Sequence, residues 1–437
     1  MAWQVVIAGG GFGGFYAARA LERLLPLQSA RVTLINDANY MLYTPLLPGA
    51  AGATLDPRHV SVPLRSQLRR TELVIGRVSS ADPGAGTVSV ERIDGERASY
   101  RYDHLVVALG SVSRTLPVPG LAEHGIGFKS LSDATALRNQ VLRCLDIAES
   151  LEDPEERREY LGFVFVGAGY AGVEGLAELQ DFAAQTIELY PRSRAQGMRW
   201  VLAEARERIM QEVPRTLSDF AEAELRRRGI EVRVNTTLER VEARSSTLSG
   251  GEVIPSRTLV WTAGVKPSPA VARLGLPLDG GGRIAVEATM RVDPATLPAG
   301  APAVWAIGDA ASVPDAYGQG RPSPPTAQHA IRQGRLVARN VAGAIGGRAP
   351  KPFRYRTKGV VAELGQGEAV AITLGIRWRG LPAWLIARTY HLLLMPGIGR
   401  RLRLLLDWNV ALLFGRDTSS PGQLGTPVPL EAERPPG

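Results

Sequence analysis

A chain of 437 residues exceeds the size at which one hydrophobic core stops growing, so two or three domains are expected. Its 45% hydrophobic and 22% charged residues are those of a folded protein and exclude disorder over most of its length. The one cysteine, Cys144, excludes an internal disulfide, a redox cysteine pair and thiolate zinc or iron–sulfur sites. No metal ligand set is expected, and redox chemistry would need a bound organic cofactor.

From the N-terminus, Gln4 to Ala8 form a short β-branched run of buried parallel-strand type, with no basic and apolar leader before it. A cytoplasmic protein is therefore expected. Gly9, Gly11 and Gly14 follow in G-x-G-x-x-G spacing, with Gly13 inside the motif and a helix predicted over Phe15 to Leu25. That spacing serves a tight turn, close approach of backbone to a pyrophosphate, and close helix–strand packing. The next strand, Arg31 to Ile35, ends at Asn36 and Asp37, where a ribose-binding group is expected; a surface Asn-Asp turn is the alternative.

His104 to Ala108 form a buried strand that ends at Gly110, where a crossing back to the nucleotide is expected. The first pattern then recurs. Gly162 to Val166 read as a strand, Gly167, Gly169 and Gly172 repeat the glycine spacing, and Val173 to Phe182 read as a helix. Two such units imply two adenine dinucleotides. Glu174 falls at the start of that second helix, where a carboxylate is stabilised by the dipole whether or not it does chemistry, and the residues leave both readings open. Arg199 to Ala203 form the partner strand and end at Glu204. A carboxylate there accepts from a ribose 2′-hydroxyl and repels a 2′-phosphate, which favours NADH over NADPH. The longer interval to Glu204 is assigned to extra residues around Pro191 to Gly197. Thr258 to Gly264 and Ala303 to Ala310 are further strands ending in small residues. In the second of them Asp309 is either a helix N-cap or an acceptor for the ribityl chain of a flavin.

Toward the C-terminus the charge concentrates. Eleven Lys/Arg stand between Lys351 and Arg416 against Glu363, Glu368 and Asp407, an excess equal to the net charge of +8. Leu381 to Met395 read as a helix with Leu385, Ile386, Tyr390, Leu392 and Leu393 on one side and Arg388 and His391 on the other. Arg400 to Phe414 read as a second, more apolar helix. Basic amphipathic helices with Trp384 and Trp408 suit an anionic membrane surface; packing on a neighbouring domain or a second subunit is the alternative. No apolar run reaches the ~18 residues of a membrane span. For His329 and His391, surface or core placement is expected rather than a proton relay. Residues 417–437, rich in Pro, Gly and Ser, are expected to be disordered. Nucleic-acid binding is not expected, because the basic residues are interleaved with aliphatics and no recognition motif accompanies them.

On the runs Gly9 to Gly14, Thr33 to Asn36, Tyr43 to Leu47, Gly110, Gly167 to Glu174, Trp261 to Gly264, Gly308-Asp309 and Pro325 to Gln328, the chain resembles the type II NADH dehydrogenases among two-dinucleotide-domain flavoproteins. The resemblance implies an α/β fold with two Rossmann-like domains and a C-terminal amphipathic helical region. FAD would sit in residues 1–120 and 285–350, NADH in 150–270, and 351–416 would meet a membrane or a second copy. It implies FAD contacts from Gly9, Gly11, Gly13, Gly14, Asn36, Asp37, Val78, Ala108, Gly110, Asp309, Ala327, Gln328 and Lys358. NADH contacts fall on Gly167, Gly169, Gly172, Glu204 and Gly264, and catalytic roles on Glu174 and Gln328. Where the family commonly carries a second Gln, this chain has Arg332. The implied activity is NADH oxidation with a membrane quinone as acceptor, without proton pumping, by a peripheral protein on the cytoplasmic side of the membrane. A soluble flavin reductase for a ferredoxin- or rubredoxin-type protein, and a low-turnover NADH sensor, share the same motifs.

Overall fold

The computed structural model describes residues 2–318, 320–357 and 359–420. Lys358 and residues 421–437 of the expected disordered tail lie outside the described residues.

The first glycine unit is β1 (Trp3–Ala8) and α1 (Phe12–Leu24), followed by β2 (Ala30–Asn36), β3 (Glu72–Asp82), β4 (Thr87–Arg92), β5 (Arg97–Arg101) and β6 (His104–Val107). After β7 (Gly125–Gly127) and α2 (Leu131–Ser150) comes the second unit, β8 (Gly162–Val166) and α3 (Tyr170–Thr186), then β9 (Arg199–Ala203), β10 (Ile230–Arg233) and β11 (Thr258–Trp261). The chain continues through β12 (Ala303–Ala306), α4 (Ala327–Ile345), β13 (Gly359–Glu363), β14 (Ala369–Thr373), β15 (Ile376–Arg379), α5 (Leu381–Leu394) and α6 (Ile398–Phe414).

Two sheets organise the molecule. The first has the order β12-β6-β1-β2-β3-β4-β5, parallel from β12 to β3 and antiparallel from there on. The second, β7-β11-β8-β9-β10, is parallel throughout. Both centre on a strand buried on both faces, Val5 to Ala8 in one and Gly162 to Val166 in the other, as continuous apolar runs require. The second sheet takes its edge strand from Gly125–Gly127, upstream of the 150 expected for the second domain. The additional residues before β9 fold as a short helix, Pro191–Gln196.

Both glycine helices begin earlier than predicted, at Phe12 and Tyr170. Low helix propensity sets the expected start later, but packing overrides it. A Cβ on Gly13 would lie 3.0 Å from Ile307 Cδ1, and one on Gly334 of α4 would overlap the Gly13 carbonyl, so α1 and α4 cross backbone against backbone.

The C-terminal segment forms an antiparallel β13-β14-β15 sheet and then α5 and α6. On α5 the expected apolar side is turned largely outward. Its buried row is Ala383, Trp384, Ala387 and His391, whereas Leu385 is 53% and Leu393 62% exposed. Trp384 and Trp408 are buried rather than at a surface, because they sandwich the Arg388 guanidinium at 3.9 and 4.9 Å. On α6 only Leu404 and Trp408 are buried; Leu406, Leu413 and Phe414 stand exposed. Asp407 fixes α6 through His59 Nδ1 at 2.6 Å and the Asp56 amide at 3.1 Å. Among the described residues no helix is long and apolar enough to cross a membrane.

Candidate dinucleotide and electron-transfer site

Each glycine turn is built by the same three devices. Gly9 and Gly167 adopt φ of +105° and +104°, a region that β-carbons disfavour. Gly14 and Gly172 bring the helix so close that a Cβ would overlap the carbonyls of Gly9 and Gly167. Gly11 and Gly169, by contrast, cap their helices without a side-chain hydrogen bond and would meet nothing within 4 Å if given a Cβ. Side-chain caps do occur in this chain, from Ser130 and Asp133 on α2 and from Thr326 on α4. The two glycine-turn helices thus start uncapped beside open space, which is what a pyrophosphate needs. The residues present therefore fit a dinucleotide at each turn.

The residue ending the second strand of each unit also repeats a geometry. Asn36 Oδ1 accepts from the Gly10 amide and Glu204 Oε2 from the Ala168 amide, both at 2.7 Å. Asn36 is spent on the loop, since its Nδ2 donates to the carbonyls of Ala38 and Tyr40. Asp37, not Asn36, lines a separate groove with Gly76, Arg77 and Arg92. The Val78 side chain is buried in the core, 3% exposed, and does not line that groove. Glu204 Oε1 accepts from the Arg206 amide. Gly110 and Gly264, both at positive φ, close their crossings with open space beside them, and Ala108 is bonded to Ala8.

Asp309 lies inside a single turn, Gly308–Ala310, whose N-cap is Ile307, so the capping reading does not apply. Its Oδ2 accepts from Ser111 Oγ at 2.6 Å and stands 3.8 Å from Lys129 Nζ.

A cavity of about 460 Å³ lies between the two turns. Phe12 and Tyr16 of α1 line it, as do Lys129, Tyr170 and Glu174 beside the second turn, Ala327, Gln328 and Arg332 of α4, and Tyr390 and His391 of α5. The two expected catalytic residues thus share one space. Burial, reinforced by the nearby Glu363 and Glu178 carboxylates, holds the Glu174 carboxyl well above the ordinary range, although its Oε1 accepts the Glu363 amide at 3.0 Å. Gln328 is held by Tyr355, which donates its hydroxyl to Oε1 at 2.8 Å, and donates Nε2 to the Gly359 carbonyl at 3.2 Å. Arg332 stacks on Tyr355 at 4.0 Å and donates to the Gln328 carbonyl, so it braces Gln328. His329 and His391 are both buried. His391 lines the cavity, with Nδ1 3.4 Å from Tyr43 Oη, and burial lowers its pKa to about 4.

Sequence reasoning missed Lys129, Glu178, Glu363 and the burial of Arg388, and met Tyr43 only as the start of the Tyr43 to Leu47 run. Only Glu178 left a signal, four residues from Glu174 on one helix face.

Residues 3–334 match the family described as pyridine nucleotide-disulphide oxidoreductase. Type II NADH:quinone oxidoreductase Ndh of Mycobacterium tuberculosis is 31% identical over 94% of this chain and 89% of its own length. The chain belongs to this family of type II NADH:quinone oxidoreductases. Demethylphylloquinone reductase NdbB of Synechocystis is 30% identical over 93% of the chain and 95% of its own length. The solved structure of NDH2 from Plasmodium falciparum in complex with NADH shares the fold at a TM-score of 0.87 and 18% identity, over 96% of this chain and all of that one. The disulphide chemistry in the broader family's description has no counterpart here, since Cys144 is buried and burial pushes its thiol up to about 11.

Proposed function

We propose that this enzyme binds FAD at the Gly9–Gly14 turn and NADH at the Gly167–Gly172 turn, moves a hydride between them, and passes the electrons to a membrane quinone without pumping protons. The carrying observation is the cavity of about 460 Å³, where the start of α3, the start of α4 and α5 meet between two glycine turns whose helices carry no side-chain cap. When bound, FAD supplies the two-electron carrier that NADH chemistry requires. Residues 1–120 and 285–350 hold it, with Asp309, Ser111 and Lys129 at its polar chain and Asp37 at its adenosine end. Residues 150–270 hold NADH, with Glu204 at its ribose and Gly264 at its nicotinamide side.

Within the cavity Glu174, whose proton affinity burial raises, faces the reacting groups as the group that hands on a proton. Gln328, fixed by Tyr355 and Arg332, offers the amide that orients a quinone carbonyl. The exposed leucines of α5 and α6 with the arginines of α6 lie on an anionic cytoplasmic membrane face, which brings a lipid-borne acceptor to the cavity wall. A second copy packing on the same helices would bury the same surface.

The test is NADH oxidation by purified, flavin-analysed protein with a short-chain quinone and, in parallel, with ferricyanide. Turnover with both is expected. Ferricyanide turnover alone would remove the quinone from this reading, and turnover with neither would remove the enzyme.

A further inference from the structure

Behind the main cavity lies a second, narrower one, and Glu174 lines both. Besides apolar Pro45, Leu55 and Trp408, the second is lined by three carboxylates, Glu174, Glu178 and Glu363. Their charged surroundings come from five elements. From α3 come Glu174, Glu178 and Asp181; from β13, Glu363; from α5, Arg388, 3.8 Å from Glu363. Arg416, after α6, stands 3.5 Å from Glu178 and 3.6 Å from Asp181, with its side chain only 2% exposed. Arg228, after the helix Arg215–Arg227, pairs with Asp181 at 2.5 Å.

Four carboxylates thus face three guanidiniums. Guanidiniums keep their protons in proteins, and a buried uncompensated carboxylate is costly, so the cluster is balanced when one carboxyl carries a proton. Glu178 Oε2 and Arg388 Nε are buried and have no hydrogen-bond partner among the described residues, a state that polar atoms leave by binding water.

We propose that this cluster is a proton store: one proton shared by Glu363 and Glu178 passes through Glu174 to a quinone oxygen in the main cavity and is replaced from solvent. The inference rests on the NADH:quinone reading. NADH supplies two electrons and one proton as hydride, the quinone takes two electrons and two protons, and the store supplies the second proton. Burial pushes Glu363 up to about 7 against the pull of Arg388 and raises Glu178 against Arg416, which places the exchange near neutral pH.

Glu363→Gln leaves three carboxylates for three guanidiniums, so no proton is retained. In the holoenzyme at neutral pH, the protonated-carboxyl infrared band, identified by its shift in heavy water, is expected in the wild type and lost in this variant. Arg388→Gln makes the opposite change and strengthens the band. In stopped flow, the ratio of the quinone-driven step to flavin bleaching by NADH falls about tenfold or more in Glu363→Gln and loses its pH dependence near neutrality, while Glu363→Asp recovers part of it. A purely structural defect would slow both steps together. Should Glu363→Gln fail to fold, Glu178→Gln makes the same charge change and carries the same expectation. An unchanged band or an unchanged pH profile with quinone turnover intact overturns the store alone. Absence of quinone reduction by the wild type overturns the NADH:quinone reading and the delivery step with it, and the band still decides whether a proton is held.

Discussion

Gly11 and Gly14 stand three residues apart in one motif, yet they meet opposite surroundings. A Cβ on Gly11 would touch nothing within 4 Å, whereas one on Gly14 would overlap the Gly9 carbonyl. Gly11→Val is therefore expected to fold with a melting temperature near that of the flavin-free wild type and to retain no flavin, because the side chain fills the space left for a phosphate. Gly14→Ala is expected to lose roughly 1–3 kcal/mol of stability with or without flavin, since overlap with backbone cannot be relieved by a rotamer change. Thermal melts beside the flavin-to-protein absorbance ratio separate the two; a yellow, fully loaded Gly11→Val protein would contradict the phosphate role.

At the scale of elements, α5 turns Arg388 and His391 inward, and both α5 and α6 leave much of their apolar surface outward. The inward arginine is tolerated because Glu363 pairs with it and two indoles cover it. Leu406 and Leu413 bear no load in the core, at 54% and 71% exposure, so Leu406→Gln with Leu413→Gln should leave the fold intact. Transfer of each leucine into lipid is worth about 1.5 kcal/mol or more, so the pair is expected to weaken binding to anionic vesicles at least tenfold in a flotation assay. Added salt should weaken wild-type binding further, through the arginines. Vesicle binding unaffected by the double change would assign these leucines to another surface.

At the scale of the whole molecule, His391 ties the C-terminal helices to Tyr43 near the first glycine unit. Burial lowers its pKa from 6.5 to about 4. Below pH 6.5 the unfolded chain binds a proton that the native state refuses, so the stability conferred by the neutral ring is present above pH 6.5 and is lost as pH falls toward 4. The full loss is roughly 3 kcal/mol. The buried carboxylates have raised values and act in the opposite direction, so the quantity to measure is the difference between wild type and His391→Phe. In urea unfolding that difference is expected to shrink from pH 7 to pH 4, and a constant difference would mean that the ring titrates freely.

Both glycine turns, their strands and the ends at Asn36 and Glu204 were legible in the chain, because a strand, a turn and a helix contiguous in sequence impose their requirements on neighbouring residues. Glu174 was legible for the same reason, lying at the start of the helix beside the second turn, whereas Gln328 came only with the family resemblance. The proton-store residues were not legible, since positions 174, 178, 363, 388 and 416 meet only after two sheets and the C-terminal helices have packed. Which side of α5 packs inward was not legible, because apolar periodicity names a stripe without saying what lies opposite it. The sequence by itself determined two dinucleotide turns and the family; the tertiary structure decided which residues share the cavity and which side of α5 is buried. Burial and charge compensation depend on groups that the chain brings together from far apart.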